Sequence, residues 1–385
     1  MIKIALLGST GSIGRQTLDV VRRYSDKLSV ISLSAGTNSC AFFNQIEEFK
    51  PKIATLNQSI PENIVDKYKG TRFFSGEDAY LEAVIEEADL IVVALVGFVG
   101  VKAVLKAIDM GKDIALANKE SLVVGGSLVM KKAKEKGINI YPIDSEHSAI
   151  WQSLGMDATT NFDEIYITAS GGALRDTDLQ KLSGVKAEEA LKHPNWAMGK
   201  KITIDCATMV NKAFEVIEAK WLFNASFDKI KVLLHRESII HSMVKFSDGA
   251  VIAQLGAPSM EVPIQLALLR ERKPTVTPAV DFIKLGKMTF SEVDEKRYPC
   301  FFLAIKCAKI GHNYPCALNA ANEVAVQAFL NDEITFGDIF AVLEKTVNSL
   351  SVREIDSLEA LELEDKKARQ TAQKIIGEIN GTITC

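Results

Sequence analysis

The sequence of 385 residues contains few cysteines and no hydrophobic run long enough to cross a bilayer. Its six cysteines are irregularly spaced and form no CxxC pair, so they predict neither a zinc site nor a disulfide framework and favour a reducing compartment. The strongest apolar run, residues 90–101, has twelve residues including two glycines, whereas a membrane-spanning helix needs about 20 residues. We therefore expect a cytoplasmic protein with no membrane partner.

Excess basic charge and compositional bias are also absent from the sequence. The net charge is −4, which provides no broad basic surface for nucleic acid. There is no internal repeat and no low-complexity segment. The first residues lead directly into a glycine-rich loop, so we expect no signal or transit peptide. The composition is that of a globular protein, in which any recognition of phosphate is local.

The length of the chain exceeds the usual size of one hydrophobic core, so we expect two or three domains. Apolar strands and helices alternate up to about residue 144, as a parallel α/β sheet requires, and the alternation loosens afterwards. The predicted fold class is α/β, with a Rossmann-like N-terminal domain, an α+β central catalytic domain and a C-terminal helical bundle. The predicted domains are residues 1–144, 145–269 and 296–385, with a linker at 270–295.

Individual elements follow from the periodicity of the apolar residues. In the N-terminal domain, strands are predicted at 2–7, 28–34, 53–56, 88–97, 113–117 and 139–143, and helices at 12–24, 99–110 and 127–136. In the central domain, strands are predicted at 164–169, 231–234, 239–246 and 250–255, around a helix at 209–221. The C-terminal helices are predicted at 299–310, 317–329, 335–349 and 357–379.

A glycine loop directly follows the first predicted strand. Gly8, Gly11 and Gly14 have the spacing GxxGxxG, a variant of the dinucleotide fingerprint in which glycines allow a tight turn and a close backbone approach to a pyrophosphate. Its position between a strand and a helix is the context that the motif requires. We predict that a dinucleotide cofactor binds here, and the competing interpretation is an ordinary strand-to-helix turn.

The end of the second predicted strand indicates which dinucleotide is bound. NAD enzymes usually carry an acid there that bonds the ribose hydroxyl. Residues 34–39 read Ser-Ala-Gly-Thr-Asn-Ser and contain no acid that would repel a 2′-phosphate. NADP is therefore favoured, although no Arg or Lys is present either, and the alternative is that these are only turn residues.

Three acids, Asp144, Glu146 and Glu215, offer the hard oxygen ligands that Mg²⁺ or Mn²⁺ prefers. Asp144 ends a predicted strand, and in an extended chain Asp144 and Glu146 would point to the same side. Asn211, Lys212 and Glu215 lie within about one turn of a predicted helix, which sets a metal ligand beside two groups that could bind phosphate. Taken alone, three unrelated acids on solvated surfaces would explain the same pattern.

Motifs along the chain resemble those of a known enzyme family. They are Gly-Ser-Thr-Gly-Ser-Ile-Gly (8–14), Leu-Ala-Asn-Lys-Glu-Ser-Leu-Val (116–123), Ile-Asp-Ser-Glu-His-Ser-Ala-Ile (143–150), Ala-Ser-Gly-Gly (169–172), His-Pro-Asn-Trp-Ala-Met-Gly (193–199), Ala-Thr-Met-Val-Asn-Lys (207–212) and His-Ser-Met-Val (241–244). In this order they resemble 1-deoxy-D-xylulose 5-phosphate reductoisomerase over essentially the whole chain.

This resemblance implies an NADPH- and metal-dependent oxidoreductase of the methylerythritol phosphate route to isoprenoids. Its metal would be Mg²⁺ or Mn²⁺, with Co²⁺ as a further option. The enzyme would rearrange 1-deoxy-D-xylulose 5-phosphate by retro-aldol cleavage and re-addition. It would then reduce the resulting aldehyde to 2-C-methyl-D-erythritol 4-phosphate by hydride transfer. The resemblance also implies a phosphorylated sugar as the partner molecule and a homodimer formed through the central domain.

The resemblance assigns site residues by motif position. The metal ligands would be Asp144, Glu146 and Glu215. The catalytic groups would be Lys119, Glu146, His193 and His241. The substrate would contact Ser145, Ser170, His193, Trp196, Met198, Cys206, Asn211, Lys212 and Met260, with Trp196 and Met198 in a mobile flap. The cofactor would be lined by Thr10, Gly11, Ser12, Ile13, Gly36, Asn38, Asn118, Glu120 and Gly199.

Two positions depart from the family pattern. Cys206 stands where the family usually has a serine that bonds the substrate phosphate, and Thr37 lacks the basic side chain that some relatives carry near the 2′-phosphate.

Two alternative functions come from other classes of protein. One is a different NADP oxidoreductase, such as a semialdehyde or homoserine dehydrogenase, in which Cys206 and His193 would form a thioester-forming pair. The other is a regulator that senses NADP(H) without turnover.

Overall fold

The computed structural model of the protein describes residues 1–196 and 198–381. Ala197 of the 193–199 motif and the end of the predicted C-terminal domain (382–385, including Cys385) lie outside the described residues. The chain forms two compact units: the first is Met1–Ser121, Val129–Ser148 and Ser259–Pro278, and the second is Leu122–Leu128, Ala149–Pro258 and Ala279–Cys385. In the part of the chain that is described, no helix combines the length and apolarity that crossing a membrane requires.

The first unit is built on a parallel sheet of seven strands. They are β1 (Ile2–Leu7), β2 (Leu28–Ala35), β3 (Ile53–Leu56), β4 (Arg72–Ser75), β5 (Leu90–Val93), β6 (Asp113–Leu116) and β7 (Ile140–Pro142). The strand order is β4-β3-β2-β1-β5-β6-β7. The order of strands reverses between β1 and β5, and in open α/β sheets ligands bind beyond the carboxyl ends of the strands at such a point.

Helices alternate with the strands of this sheet, as in parallel sheets whose faces are covered by helices. They are α1 (Ser12–Arg23), α2 (Ser39–Phe49), α3 (Glu62–Lys67) and α4 (Val99–Asp109), with a 3₁₀ turn at Ala79–Ala83. The division between the units falls within α5 (Glu120–Lys136) and α6 (Ser145–Ser153). The buried core contains Ile4, Leu6 and Val92 from the central strands.

The second unit combines a mixed sheet of four strands with helices. The strands are β8 (Glu164–Ala169), β9 (Ile230–Leu234), β10 (Ile240–Lys245) and β11 (Val251–Leu255), in the order β11-β10-β8-β9. The helices are α7 (Leu179–Leu182), α8 (Ala187–Ala190), α9 (Lys200–Thr208), α10 (Val210–Leu222), α12 (Phe282–Leu285), α13 (Pro299–Ile310), α14 (Tyr314–Leu330), α15 (Phe336–Asn348) and α16 (Leu358–Ile379), with a 3₁₀ turn at Phe227–Lys229. Helices α10 and α13–α15 share one core, which includes Phe214 and Phe329.

The remaining helix, α11 (Glu261–Leu269), belongs to the first unit. The sequence pattern predicts no helix here and includes these residues in the central domain of 145–269. Helix α11 packs against α1, and Arg23 forms an ion pair with Glu261. The predicted fold class is confirmed. The predicted domain boundaries stay a prediction.

Two predicted elements differ in extent from the observed ones. The strand predicted at 88–97 is confined to β5, and Gly97 turns the chain with a φ of +79°. Helix α5 begins at Glu120 and not at residue 127, because it continues through a kink at Gly125. Gly126 permits close packing there, since a Cβ on it would lie 2.2 Å from Nε1 of Trp221.

Candidate active site

The glycine loop joins β1 to α1 in the first unit. Gly8 has a φ of +87°, and a Cβ at this position would lie 2.4 Å from the carbonyl oxygen of Ala94. A Cβ on Gly14 would lie 2.2 Å from the carbonyl oxygen of Gly8. Gly11 precedes α1 and provides no side-chain cap, which leaves the first N–H groups of the helix without the usual side-chain acceptor. Such a helix start suits a bound phosphate.

The predicted cofactor residues of this unit lie on loops at the ends of β1, β2 and β6. Thr10, Gly11, Ser12 and Ile13 form the glycine turn and the start of α1. Gly36 and Asn38 follow β2, and a Cβ on Gly36 would meet no atom within 4 Å. Asn38 caps α2 by accepting a hydrogen bond from the N–H of Ala41 at 3.3 Å. The backbone beside Gly36 is therefore open to a ligand.

Asn118 fixes the loop after β6. Its Nδ2 donates to Oε2 of Glu120 at 2.9 Å and to the carbonyl oxygen of Gly97 at 3.0 Å. A Cβ on Gly100 would lie 2.1 Å from its Oδ1. The Asn118 side chain is thus fully buried within the first unit, and its most direct effect is to hold Glu120 and the neighbouring Lys119 in place.

Lys119 is paired with the first of the three predicted metal ligands. Its Nζ lies 2.7 Å from Oδ2 of Asp144. Burial acts to raise the pKa of Asp144, but the charges of Lys119 and His147 and a hydrogen bond with Glu146 outweigh it, so the pKa lies below its ordinary value. Asp144 is therefore an ionised carboxylate, which is the form that binds a cation.

The predicted geometry of Asp144 and Glu146 is wrong in one respect. The chain does not stay extended after Asp144, because α6 begins at Ser145 and the N–H of Ser148 donates to the carbonyl oxygen of Asp144 at 2.9 Å. Both acids therefore lie at a helix start, where the helix dipole favours negative charge. Ser145 Oγ donates to Oε2 of Glu146 at 2.6 Å.

Helix α10 of the second unit carries the third predicted metal ligand. Glu215 is 1% exposed, and its Oε1 accepts a hydrogen bond from Nδ2 of Asn211 at 2.6 Å. Lys212, which is also buried, pairs with the other oxygen of Glu215. The helix thus brings an amide, an ammonium and a carboxylate together in a buried place, where a charge requires a partner.

His193 and Ser170 meet in the same unit. Nε2 of His193 lies 3.1 Å from Oγ of Ser170, and its Nδ1 accepts hydrogen bonds from the N–H groups of Asn195 and Trp196. Burial, with the charges of Arg175 and Lys212, lowers the pKa of His193 to about 4. Since Nδ1 is an acceptor and the ring is neutral, the proton is on Nε2 and points to Ser170.

The other predicted substrate residues are placed as follows. The rings of Trp196 and His241 are 6.2 Å apart at an angle of 57°. Met198 is half-buried, and Gly199 immediately precedes α9. In the first unit, Met260 precedes α11 and packs on the core.

Cys206 lies on α9 beside the loop of Ser170. A Cβ on Gly172 would lie 2.5 Å from the carbonyl oxygen of Cys206, so the helix and the loop pack backbone against backbone. Cys206 is half-buried. Gly172 in turn donates from its N–H to Oγ of Ser170 at 3.1 Å. Cys206 therefore lies near Ser170.

Two residues of this region were not predicted from the sequence. Arg175 donates to the carbonyl oxygen of Ser170 at 2.9 Å, and the only sequence signal was a cation three residues after a glycine pair. Ser238, which has a φ of +52°, accepts a hydrogen bond from Nδ2 of Asn195 at 2.7 Å. No local pattern marks Ser238, because its role depends on two loops that are distant in sequence.

The loop at 170–177 is held by the start of the C-terminal helices. Tyr298, which is 1% exposed, donates from its hydroxyl to the carbonyl oxygen of Gly171 at 2.9 Å. Arg297 donates to the carbonyl oxygens of Leu174 and Thr177 at 3.0 and 2.8 Å. These bonds fix the backbone from which Ser170 and Arg175 project.

Comparison with protein families supplies an independent observation. Three family models match the chain: 1-deoxy-D-xylulose 5-phosphate reductoisomerase at residues 4–126, the C-terminal domain of the same enzyme at 140–223, and the DXP reductoisomerase C-terminal domain at 255–371. The 1-deoxy-D-xylulose 5-phosphate reductoisomerase of Chlorobaculum tepidum is 45% identical over 382 residues, covering 98% of this chain and all of that protein. The chain belongs to the 1-deoxy-D-xylulose 5-phosphate reductoisomerase family.

Solved structures of the family agree in fold over the whole chain. The reductoisomerase from Zymomonas mobilis in complex with NADPH is 38% identical with a TM-score of 0.89, covering 97% of this chain and 98% of that one. A DOX-P reductoisomerase in complex with NADPH, fosmidomycin and magnesium is 36% identical with a TM-score of 0.92, covering 98% and 99%. The predicted family is confirmed. The roles of individual residues stay a prediction.

Proposed function

We propose that this chain converts 1-deoxy-D-xylulose 5-phosphate to 2-C-methyl-D-erythritol 4-phosphate, as an NADPH- and metal-dependent reductoisomerase of isoprenoid precursor synthesis. The observation that carries the proposal is the 45% identity to a reductoisomerase over 98% of this chain. This identity to a reductoisomerase extends through both units. It is not explained if the chain is a semialdehyde or homoserine dehydrogenase, or a non-catalytic sensor of NADP(H).

The cofactor in this proposal is NADPH, which supplies the hydride. Gly8 and Gly14 allow the tight turn, because a Cβ on either residue would clash with backbone atoms, and the start of α1 offers N–H groups to the pyrophosphate. The absence of an acid in residues 34–39 is compatible with a 2′-phosphate. The proposed lining residues are Thr10, Gly11, Ser12, Ile13, Gly36, Asn38, Asn118, Glu120 and Gly199.

The proposed ligands of the divalent cation are Asp144, Glu146 and Glu215. They fit Mg²⁺ or Mn²⁺ because all three offer oxygen atoms, and because Asp144 is held ionised by Lys119. When bound, the cation would polarise substrate oxygens as a Lewis acid and hold them in register. Buried Glu215 would then have a second charge partner besides Lys212.

The proposed roles of the other residues follow from their charges and hydrogen-bonding groups. Ser170, Asn211 and Lys212 would hold the substrate phosphate, with Cys206 as a weaker donor. Lys119 would neutralise negative charge that develops on the substrate. Glu146 would accept the proton of the substrate's hydroxyl group. Ser145, Trp196, Met198 and Met260 would contact the substrate, and His193 and His241 would border it.

The test is NADPH oxidation by the purified protein with 1-deoxy-D-xylulose 5-phosphate, first after exhaustive chelation and then with added Mg²⁺ or Mn²⁺. We expect oxidation only when the metal is added. A folded protein that binds NADPH but oxidises none with either metal would refute the substrate assignment. Turnover that survives chelation would instead favour a metal-independent oxidoreductase.

We also propose a homodimer in the cytoplasm. Strand β11 is an edge of the second unit's sheet, and its Val251 and Ile252 are 51% and 48% exposed, which makes this edge suitable for pairing with a second copy. Among the described residues no cysteine forms a disulfide, which is compatible with a reducing compartment. Light scattering should report two chains for the native protein and one for Val251→Lys.

A further inference from the structure

A groove of about 400 Å³ opens among the C-terminal helices of the second unit. It is bounded by the start of α14, the segment that follows α15, and one face of α16. None of the residues that we assign to the cofactor, substrate or metal lines it. Its volume is in the range of small-molecule sites, which is roughly 300–1,000 Å³, and exceeds what a single inorganic ion needs.

The groove carries positive charge although the chain as a whole is acidic. Arg353, Lys367 and Lys374 line it, and Glu364 is the one carboxylate among its lining residues, so three positive charges against one negative leave a charge of +2. The net charge of the chain is −4. Nζ of Lys374 lies 4.0 Å from Oε1 of Glu378, an exposed residue of the same helix. An excess of positive charge among the lining residues attracts an anion.

The walls of the groove are fixed before any ligand arrives. Asn313 is 1% exposed, and its Nδ2 donates to the carbonyl oxygen of Ser351 at 3.1 Å and to Oε1 of Glu364 at 3.0 Å. Its Oδ1 accepts a hydrogen bond from the N–H of Arg353 at 3.0 Å. The segment that carries Arg353 is thereby tied to α16, and little ordering would be needed on binding.

The groove also contains neutral groups that suit an organic phosphate. Lys367, Thr371 and Lys374 follow one another at helical spacing along α16, so an ammonium, a hydroxyl and a second ammonium line one side. Leu350, which is half-buried, provides apolar surface beside them. A guanidinium such as that of Arg353 can bond two oxygens of a phosphate at once.

We propose that this groove binds a small phosphorylated organic molecule, distinct from the substrate and cofactor of the reductoisomerase reaction. Arg353 and Lys367 hold the phosphate, Lys374 and Thr371 complete its surroundings, and Leu350 contacts the carbon part of the ligand. The proposal concerns residues outside the catalytic machinery, so it stands or falls independently of the assigned reaction.

The test uses the full-length protein and inorganic pyrophosphate as the probe of the phosphate subsite, in metal-free buffer at low ionic strength. Calorimetry measures the affinity, and the methyl resonances of Leu350 report binding at the groove and not at the catalytic phosphate site. We expect saturable shifts of these resonances. In the double variant Arg353→Gln/Lys367→Gln, the groove dissociation constant should rise at least tenfold.

The matched control is Lys366→Gln, which removes an exposed charge of α16 that does not line the groove. It should leave both the shifts and the affinity unchanged. The proposal is overturned if the Leu350 resonances do not move with pyrophosphate, or if the double variant binds as the native protein does. It is also overturned if sulfate binds as tightly as pyrophosphate, because the groove would then be an unselective basic patch. The substituted side chains are exposed, so the variants should fold.

Discussion

At the scale of the residue, buried Glu215 is the most consequential of the proposed metal ligands, because Asn211 and Lys212 already hold its carboxylate in position. Glu215→Gln keeps the shape of the side chain and removes the charge that would bind a cation. We expect kcat/KM to fall by about a hundredfold or more, a loss of roughly 3 kcal/mol of transition-state stabilisation. The measurement is steady-state NADPH oxidation.

The dissociation constant of NADPH, measured by fluorescence, is the control for that variant. It should stay within about twofold of the native value, since Glu215 is not among the proposed cofactor residues. A variant with native turnover would remove Glu215 from the ligand set.

Cys206 offers a second test at this scale. If the residue donates to the substrate phosphate, Cys206→Ser replaces a weak donor by a stronger one, and a hydrogen bond is worth about 1 kcal/mol. KM for the substrate should then fall up to about fivefold with kcat little changed. A KM that rises severalfold would show that the thiol packs against its neighbours and does not contact phosphate.

His193 should make the protein less stable in mild acid. Its pKa is lowered to about 4 in the folded state, against about 6.5 in an unfolded chain. The unfolded state therefore binds more protons between these values, and stability that is present above pH 6.5 is lost as the pH falls towards 4. Urea unfolding at pH 7 and pH 5 measures the loss.

The matched variant for that experiment is His193→Gln, which does not titrate in this range. We expect its stability to fall less between pH 7 and pH 5 than that of the native protein. Equal losses in the two proteins would mean that other groups cause the pH dependence. An NMR titration of the His193 ring would measure its pKa directly.

At the scale of the element, the β1–α1 turn depends on the absence of a side chain at Gly14. In Gly14→Ala the new methyl group would meet backbone atoms of Gly8 and Ser9 at 2.2–2.7 Å, and overpacking of this kind costs about 1–3 kcal/mol. The turn must open, so the dissociation constant of NADPH should rise at least tenfold. Titration of NADPH fluorescence measures it.

Gly70→Ala is the corresponding control, because a Cβ there meets no atom within 4 Å. It should leave both NADPH binding and unfolding unchanged. Native NADPH affinity in Gly14→Ala would show that the cofactor does not use this turn.

The elements that the sequence predicted are those with a regular apolar period. Six of the seven strands of the first sheet, the four strands of the second sheet and the C-terminal helices lie within a few residues of their predicted limits, whereas β4 was not predicted. Helices α6 and α9 were missed because they begin in polar motifs whose period is too short to read. For the same reason the sequence did not predict that Asp144 and Glu146 lie at a helix start. The set of residues that it assigns to the site stays a prediction.

At the scale of the whole molecule, a cation bound only by the folded state should raise the melting temperature. After chelation, adding Mg²⁺ at about a hundred times its dissociation constant would add roughly 2.7 kcal/mol of stability. We expect this increase, measured by differential scanning calorimetry, to vanish in Asp144→Asn and to persist in Glu188→Gln, a change of an exposed acid on α8. An increase that persists in Asp144→Asn would place the cation elsewhere.

The fold class could be predicted for the whole molecule because strand and helix alternate along the N-terminal half. The unit to which α11 belongs could not be predicted, because the apolar residues of a helix indicate that it is buried but not in which core it is buried. Its packing on α1 depends on contacts such as Arg23 with Glu261, which are more than two hundred residues apart in sequence. Nor could the sequence show that Arg297 and Tyr298 hold the 170–177 loop.

That last contact limits how members of this family can be recombined. The bonds from Arg297 and Tyr298 to backbone oxygens of the loop require that the loop and α13 fit each other in position. A chimaera that takes its last hundred residues from a distant relative inherits a loop and a helix start that were never selected together. The C-terminal helices and the 170–177 loop should therefore be exchanged together, and a crossover between them is expected to yield folded protein with weakened substrate binding.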